Sequence, residues 1–356
     1  MLYDDHVDLP IPMQRSDGAK RLAKALTEVE SGGCTALYDG WQAGLAQLGE
    51  PPADALSRVI LLSDGQANSG PKDLADFEAA IRAAAQKGLA TTTVGLGRSF
   101  NEDLMVGLAQ ATGGQHYYGE TADDLFDAFE EEFALLQALC ARKLKLHFTA
   151  GPGVQVEVLS DVSERGPDWL RLSDLAFGAR SWGLLRLHIA PATAAESDRR
   201  HLLTVRLEGE GMGDTVIDVV PARLDLPCLP LGMVARLAQP AELVERRTEV
   251  FFALALTAIR TAVRSGDEAA EKAAVEEARR LAQGQPWLEQ KLAGLLELIE
   301  RDRRMFEKEA MYSAKRLNVR LSAESSAHYS VDETSALHAP SYLRRKVREG
   351  KGRQTP

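Results

Sequence analysis

The sequence predicts a multidomain chain of α/β, then β, then α character. It reads as a doubly wound, Rossmann-like domain, an antiparallel β-sandwich and a helical bundle. Strand-like and helix-like segments alternate through residues 1–140, the pattern of a parallel sheet covered by helices. Residues 141–230 alternate apolar and polar at period two between turn signals, without a helical stretch. Residues 231–317 are helical in period. From 318 to 356 the pattern fades into a Ser/His/Glu stretch and a basic end, which predicts a disordered tail.

In the first section, Tyr3 to Met13 opens strand-like. Ala19 to Val29 and Ala36 to Leu48 read as helices. Arg58 to Ser63 is a short apolar run that stops at Asp64-Gly65, a buried strand followed by a turn. Lys72 to Lys87 places Leu74, Phe77, Ala80, Ile81 and Ala84 on one helical face, with Gly88 as its cap. Leu89 to Leu96 is β-branched, and Gln115 to Tyr118 is the last strand. Thr121 to Cys140 predicts a helix capped by Thr121, with Asp123 and Asp124 favourable in its first turn.

The second section offers strands at Leu144, Val154, Trp169, Leu184, Leu202 and Val216. Gly209-Glu-Gly-Met-Gly213 lies between two of them and reads as a hairpin turn, not a nucleotide loop. In the third, Pro240 and Pro286 punctuate three helices, with a break at Ser265-Gly266-Asp267.

The chain has 356 residues, with 42 basic against 52 acidic, a net charge of −10. About 22 acidic and 9 basic residues fall in 1–140, so the acidity belongs to the first section. An anionic chain repels phosphates, so no nucleic-acid binding is expected. The basic end, Arg344-Arg345-Lys346 and Arg348, has no aromatic interleaving and reads as a solubilising tail. The longest largely apolar run, Phe251 to Ile259, is far short of the ~20 residues of a membrane span. Three scattered cysteines (34, 140, 228) argue against a disulfide scaffold and suit a reducing compartment, so a cytoplasmic location is expected. The histidines lack metal spacing. No nucleophile elbow or phosphate loop is present, so no enzyme is expected.

Two loops carry hard oxygen donors. Ser31-Gly32-Gly33-Cys34-Thr35-Ala36-Leu37-Tyr38-Asp39 lies between two helices. Ser63-Asp64-Gly65 lies at the carboxyl end of a strand, where doubly wound sheets bind ligands. A Thr hydroxyl and an Asp carboxylate suit Mg²⁺, which takes few protein ligands plus water. Thr35 alone would serve as a helix N-cap, and Asp64-Gly65 alone as a turn. Asp4 and Asp5 read as turn residues, and Asp39 as a solvated helix residue.

Gly-Gly-x-Thr-Ala-Leu-Tyr-Asp followed about 25 residues later by a strand ending in Ser-Asp-Gly resembles the von Willebrand factor A (VWA) domain, of a bacterial type. The family's metal-ion-dependent adhesion site (MIDAS) uses Asp-x-Ser-x-Ser, a Thr and an Asp from three loops. Thr35 and Asp64 match the second and third. Asp-x-Ser-x-Ser occurs nowhere in the chain. The resemblance therefore implies that the chain opens inside the domain's second strand, short of a strand and a helix, roughly 40 residues at typical lengths. It also implies metal-dependent protein binding: Mg²⁺ on Thr35 and Asp64, a partner presenting an Asp or Glu to it, and Ser31, Gly32 and Gly33 shaping the partner-binding loop. The alternative is a metal-independent scaffold or assembly protein.

Overall fold

The structure is a computed structural model of the chain. It describes residues 1–14, 24, 27, 33–50 and 56–320, apart from parts of 122–135 and residues 163–164, 173, 178–180, 192–198, 213–214 and 235. The expected helix at Ala19 to Val29 and the expected tail lie almost wholly outside the described residues. The chain separates into two compact units, Met1–Leu136 and Gln137–Pro356.

The first unit opens with a small hairpin, β1 (Leu2–Tyr3) and β2 (Val7–Asp8). Then follow α1 (Leu37–Leu48), β3 (Arg58–Ser63), α2 (Leu74–Gln86), β4 (Ala90–Leu96), α3 (Glu102–Thr112) and β5 (His116–Gly119). The sheet is parallel in the order β3-β4-β5, with Ser63 beside Gly95 and Leu96 beside Gly119 at its carboxyl end. Helix α3 lies in a stretch where no helix was expected from the sequence. Asn101 caps it, its Oδ1 accepting from the Leu104 N–H at 3.1 Å, and Gly113 ends it in the left-handed region at φ 80.

Strand β4 is central, and its β-branched run explains why. Thr91, Thr92, Thr93 and Val94 are all buried. A buried hydroxyl without a partner costs about 1–3 kcal/mol, so each threonine needs one. Trp41 Nε1 donates to Thr91 Oγ1 at 2.9 Å. Thr92 Oγ1 donates to Glu132 Oε1 at 2.6 Å, and Thr93 Oγ1 to the Met105 carbonyl at 2.8 Å. Glu132 also meets Arg58 at 2.6 Å, the side chains being 1% and 6% exposed, and accepts from the Tyr117 hydroxyl at 3.0 Å. This ion pair joins the segment after β5 to β3, β4 and β5. Tyr38, Trp41 and Phe77 close the layer between α1 and α2, with Tyr38 and Phe77 edge to face at 4.8 Å.

In the second unit, β6 (Leu139–Ala150), β8 (Trp169–Arg171), β9 (Leu175–Ala176), β11 (Arg199–Gly211), β12 (Val216–Asp218) and β13 (Ala222–Pro227) form one antiparallel sheet. Its order is β12-β11-β6-β8, with β13 also on β11 and β9 also on β6. β7 (Val154–Val158) and β10 (Leu185–Ile189) pair separately. Leu144, Phe148, Leu170 and Leu203 of the large sheet share an apolar cluster with Val156, Val158, Leu185 and Leu187 of the small one. β11 continues to Gly211, so the chain turns later than the glycine cluster suggests.

The helix expected to reach Cys140 does not. Leu139 and Cys140 already belong to β6, where Leu139 and Ala141 pair with Ala176 and Leu175 of β9. Alternating burial of Leu139, Cys140 and Ala141 on the sheet outweighs the local helical pattern.

Helices α4 (Leu231–Val234), α5 (Ala241–Ser265), α6 (Glu268–Ala282), α7 (Pro286–Arg301) and α8 (Arg303–Arg320) complete this unit. The punctuation is physical. Gly266 ends α5 at φ 70, and Asp267 caps α6 by accepting from Ala269 N and Ala270 N at 3.1 and 3.0 Å. Pro286 occupies the first turn of α7, where its missing N–H costs nothing. Phe252, Leu256, Ile259, Leu288, Leu292, Leu295 and Phe306 build the shared core of α5 to α8. The loops between the strands touch these helices within the unit: Lys315 pairs with Asp161, and the Arg246 guanidinium lies 5.7 Å from the Trp182 ring centre.

Candidate functional site at the carboxyl end of the parallel sheet

β3 delivers Ser63, Asp64 and Gly65 to the carboxyl end of the sheet. Ser63 is buried and its hydroxyl donates to the Gly65 carbonyl at 3.0 Å, which sets the turn and leaves Asp64 exposed. Tyr3 stands beside this turn, its hydroxyl donating to the Leu62 carbonyl at 2.7 Å. Burial pushes the Tyr3 phenol up to about 12, against the pull of a Ser63 hydrogen bond and with help from the Asp64 charge.

The loop before α1 is held from two sides. On one side, the Asp4 carbonyl accepts from the Ala36 N–H at 2.9 Å, and the Asp5 carboxylate accepts from the Cys34 N–H. A Cβ on Gly33 would lie 2.8 Å from Asp5 Oδ2, so a larger residue there would push the Asp5 carboxylate aside. The Asp5 hydrogen bond and charge also push the exposed Cys34 thiol up. On the other side, Thr35 N donates to Asn68 Oδ1 at 2.5 Å, and the Thr35 carbonyl accepts from Asn68 N at 3.2 Å and Ser69 N at 3.4 Å. The Asp64 loop and the Thr35 loop are thereby clamped together. Thr35 Oγ1 lies 3.0 Å from where a Cβ on Gly65 would stand.

Thr35 is not the cap of α1. Ala36 occupies that position, and no side chain makes a capping hydrogen bond there. The Thr35 hydroxyl makes no hydrogen bond to another side chain or carbonyl among the described residues. Gly33 lies in the clamped loop, whereas Ser31 and Gly32 fall outside the described residues. Asp39 is exposed on the first turn of α1. Asp5, read from sequence as a turn residue, is the group that fixes the loop. Its contact spans 29 residues of chain, and no local pattern announces it.

The donors fit a hard cation: a carboxylate at the surface and a half-buried hydroxyl beside it. They are few. Among the described residues no group of three or more His, Cys, Asp or Glu side chains converges. The histidines of the second unit instead meet single carboxylates, His147 with Glu208 at 2.9 Å and His188 with Glu157 at 3.1 Å. His201 Nδ1 lies 2.8 Å from Asp225, and its Nε2 lies 3.0 Å from Thr204 Oγ1. That line has the connectivity of a hydroxyl, base and carboxylate, which the sequence did not reveal. Its position explains it: the three residues bridge β11 and β13 at the register shift between His201 and Leu203.

Residues 1–132 match the family model of the von Willebrand factor type A domain. VWA domains commonly mediate protein interactions. A curated relative, the uncharacterized protein sll0103 of Synechocystis, is 22% identical over 225 residues. That match covers 63% of this chain and 52% of the relative, so the chain spans about half the length of the curated relative it matches.

Solved structures share the fold. A von Willebrand factor type A protein from Catenulispora acidiphila has a TM-score of 0.58 at 18% identity, covering 79% of this chain and 68% of that one. The ArnB paralog VWA2 from Sulfolobus acidocaldarius gives 0.50 at 18% identity, covering 83% and 72%. The human COPII-coat protein Sec24c gives 0.52 at 10% identity, covering 85% and 44%. Among the described residues no helix is long and apolar enough to cross a membrane.

Proposed function

We propose that this chain is a metal-ion-dependent protein-binding module and not an enzyme. Thr35 and Asp64 are the residues that would hold Mg²⁺. The observation that supports this reading is the clamp itself: paired Thr35–Asn68 and Thr35–Ser69 hydrogen bonds bring the two loops together through the Thr35 backbone, with the Thr35 hydroxyl beside the Asp64 turn. With two protein oxygens, Mg²⁺ would keep most of its ligands as water. Thr35 and Asp64 would hold Mg²⁺ with a position left open to an Asp or Glu carboxylate of a partner protein. Gly33 keeps that edge low, and Asp5 holds the loop so that Thr35 does not swing away. Free thiols at Cys34, Cys140 and Cys228 support placing the protein in the cytoplasm.

Isothermal titration of the protein with MgCl₂ tests the reading. One-site binding is expected, abolished in T35A and in D64A while both variants keep the wild-type unfolding midpoint. No heat from the wild type removes the metal reading and leaves a metal-independent scaffold. That second reading is supported by the run of exposed apolar side chains between Val216 and Leu237 in the second unit.

A further inference from the structure

We propose that two copies of this chain join through β13, antiparallel and edge to edge, across a two-fold axis at Leu224. β11, the turn after Gly211, and β12 followed by β13 make one long hairpin, whose second strand runs along the outside of the large sheet. Among the described residues β13 pairs with β11 alone. An open edge presents unpaired N–H and C=O groups to any second strand.

The side chains at this edge are apolar and exposed. Leu224 sits opposite Leu203, which is buried in the apolar cluster, so the apolar face of the sheet continues outward past its core. Leu224 is 39% exposed, Leu226 46% and Val220 84%. Val219 and Leu229 flank the strand and are exposed as well. Leaving such a run in water forfeits ~25 cal/mol for each Å² of apolar surface that a partner would cover.

The sequence of β13 selects a second copy as that partner, because it is complementary to itself. With the axis at Leu224, Arg223 of each copy faces Asp225 of the other, and Ala222 faces Leu226. Pro221 then faces Pro227, and neither has an N–H to waste, so the pairing ends there. Beyond them Val220 faces Cys228 and Val219 faces Leu229, apolar against apolar. Neighbouring registers fail. Sliding by two residues puts Arg223 against Arg223 of the other copy, or Asp225 against Asp225, and like charges directly opposite are destabilising. Sliding by one turns the leucines to the other face. Such an interface is isologous and closes at two copies.

Sedimentation equilibrium of the full chain, run over a wide concentration range, tests this. The wild type is expected to be a dimer. R223E and D225K alone should each weaken association by at least about tenfold, a change of ~1.4 kcal/mol. Mixing R223E with D225K should restore a dimer, because each substituted strand then meets its opposite charge. Circular dichroism keeps the single variants interpretable. As a second readout, the Leu224→Cys variant should oxidise to a disulfide-linked dimer through position 224, since directly opposed strand residues lie within disulfide reach. A monomeric wild type at every concentration, or variants that stay dimeric alone, would overturn the proposal.

Discussion

In β4 three consecutive threonines are buried, and each hydroxyl finds its partner inside the first unit: Trp41 at Thr91, Glu132 at Thr92, the Met105 carbonyl at Thr93. The large sheet of the second unit turns its polar residues outward instead. There His147, His201 and Arg206 meet Glu208, Asp225 and Asp218 at 2.8–2.9 Å in half-exposed or exposed pairs. A parallel sheet covered on both faces must satisfy its polar groups internally, whereas an antiparallel sheet leaves one face to water. The same types of contact therefore carry very different weight in the two units. Removing a partner is costly in the first and cheap in the second.

The largest effect that this contrast predicts is at Glu132. E132A takes the carboxylate from Arg58, Thr92 and Tyr117 together, and breaking a buried ion pair costs about 3–5 kcal/mol. Urea denaturation should show the loss in the first unit's transition. A loss under ~1 kcal/mol, the range of a surface pair, would erase the distinction between the two sheets. W41F removes the donor to Thr91 together with part of a fully buried ring, and should cost at least about 1–3 kcal/mol in the same transition. In the helical part, D267A removes the cap of α6 and should cost ~1 kcal/mol.

The smallest effect is on the outer face of the second unit, and it depends on pH. Hydrogen bonds from His188, His147 and His201 hold the carboxyls of Glu157, Glu208 and Asp225 below their ordinary range. Each group therefore adds stability that is fully present above its unfolded pKa and is lost as pH falls through the lower folded one. Urea midpoints of the second unit should drop on acidification below about pH 4. D225N should flatten that drop slightly and lower the neutral-pH midpoint by the same small amount.

Much of the architecture was legible, for reasons the residues make plain. A β-branched run such as Thr91 to Val94 has few alternatives to a buried strand. Gly266-Asp267 ends one helix and starts another by their own backbone and side-chain chemistry. The site was legible only as types: a Thr and an Asp on loops at strand and helix ends. What joins them was not, because Asp5–Cys34 and Thr35–Asn68 link residues 29 and 33 apart. Glu132 was also hidden. It closes an acidic run, Glu130-Glu131-Glu132, and nothing local marks Glu132 as buried. At Leu139 and Cys140 two residues fit a helix and a strand equally well, and pairing with β9 decides.

The central claim is that Thr35 and Asp64 face one cation position, and paramagnetic broadening by Mn²⁺ tests it most directly. In a ¹⁵N–¹H spectrum of the protein, substoichiometric MnCl₂ should first broaden the amides of Thr35, Asp64, Gly65 and Asn68. Excess Mg²⁺ should reverse the effect, and D64A should lose it. Broadening that instead spreads evenly over the acidic surface, or that survives in D64A, would contradict a site at these two residues.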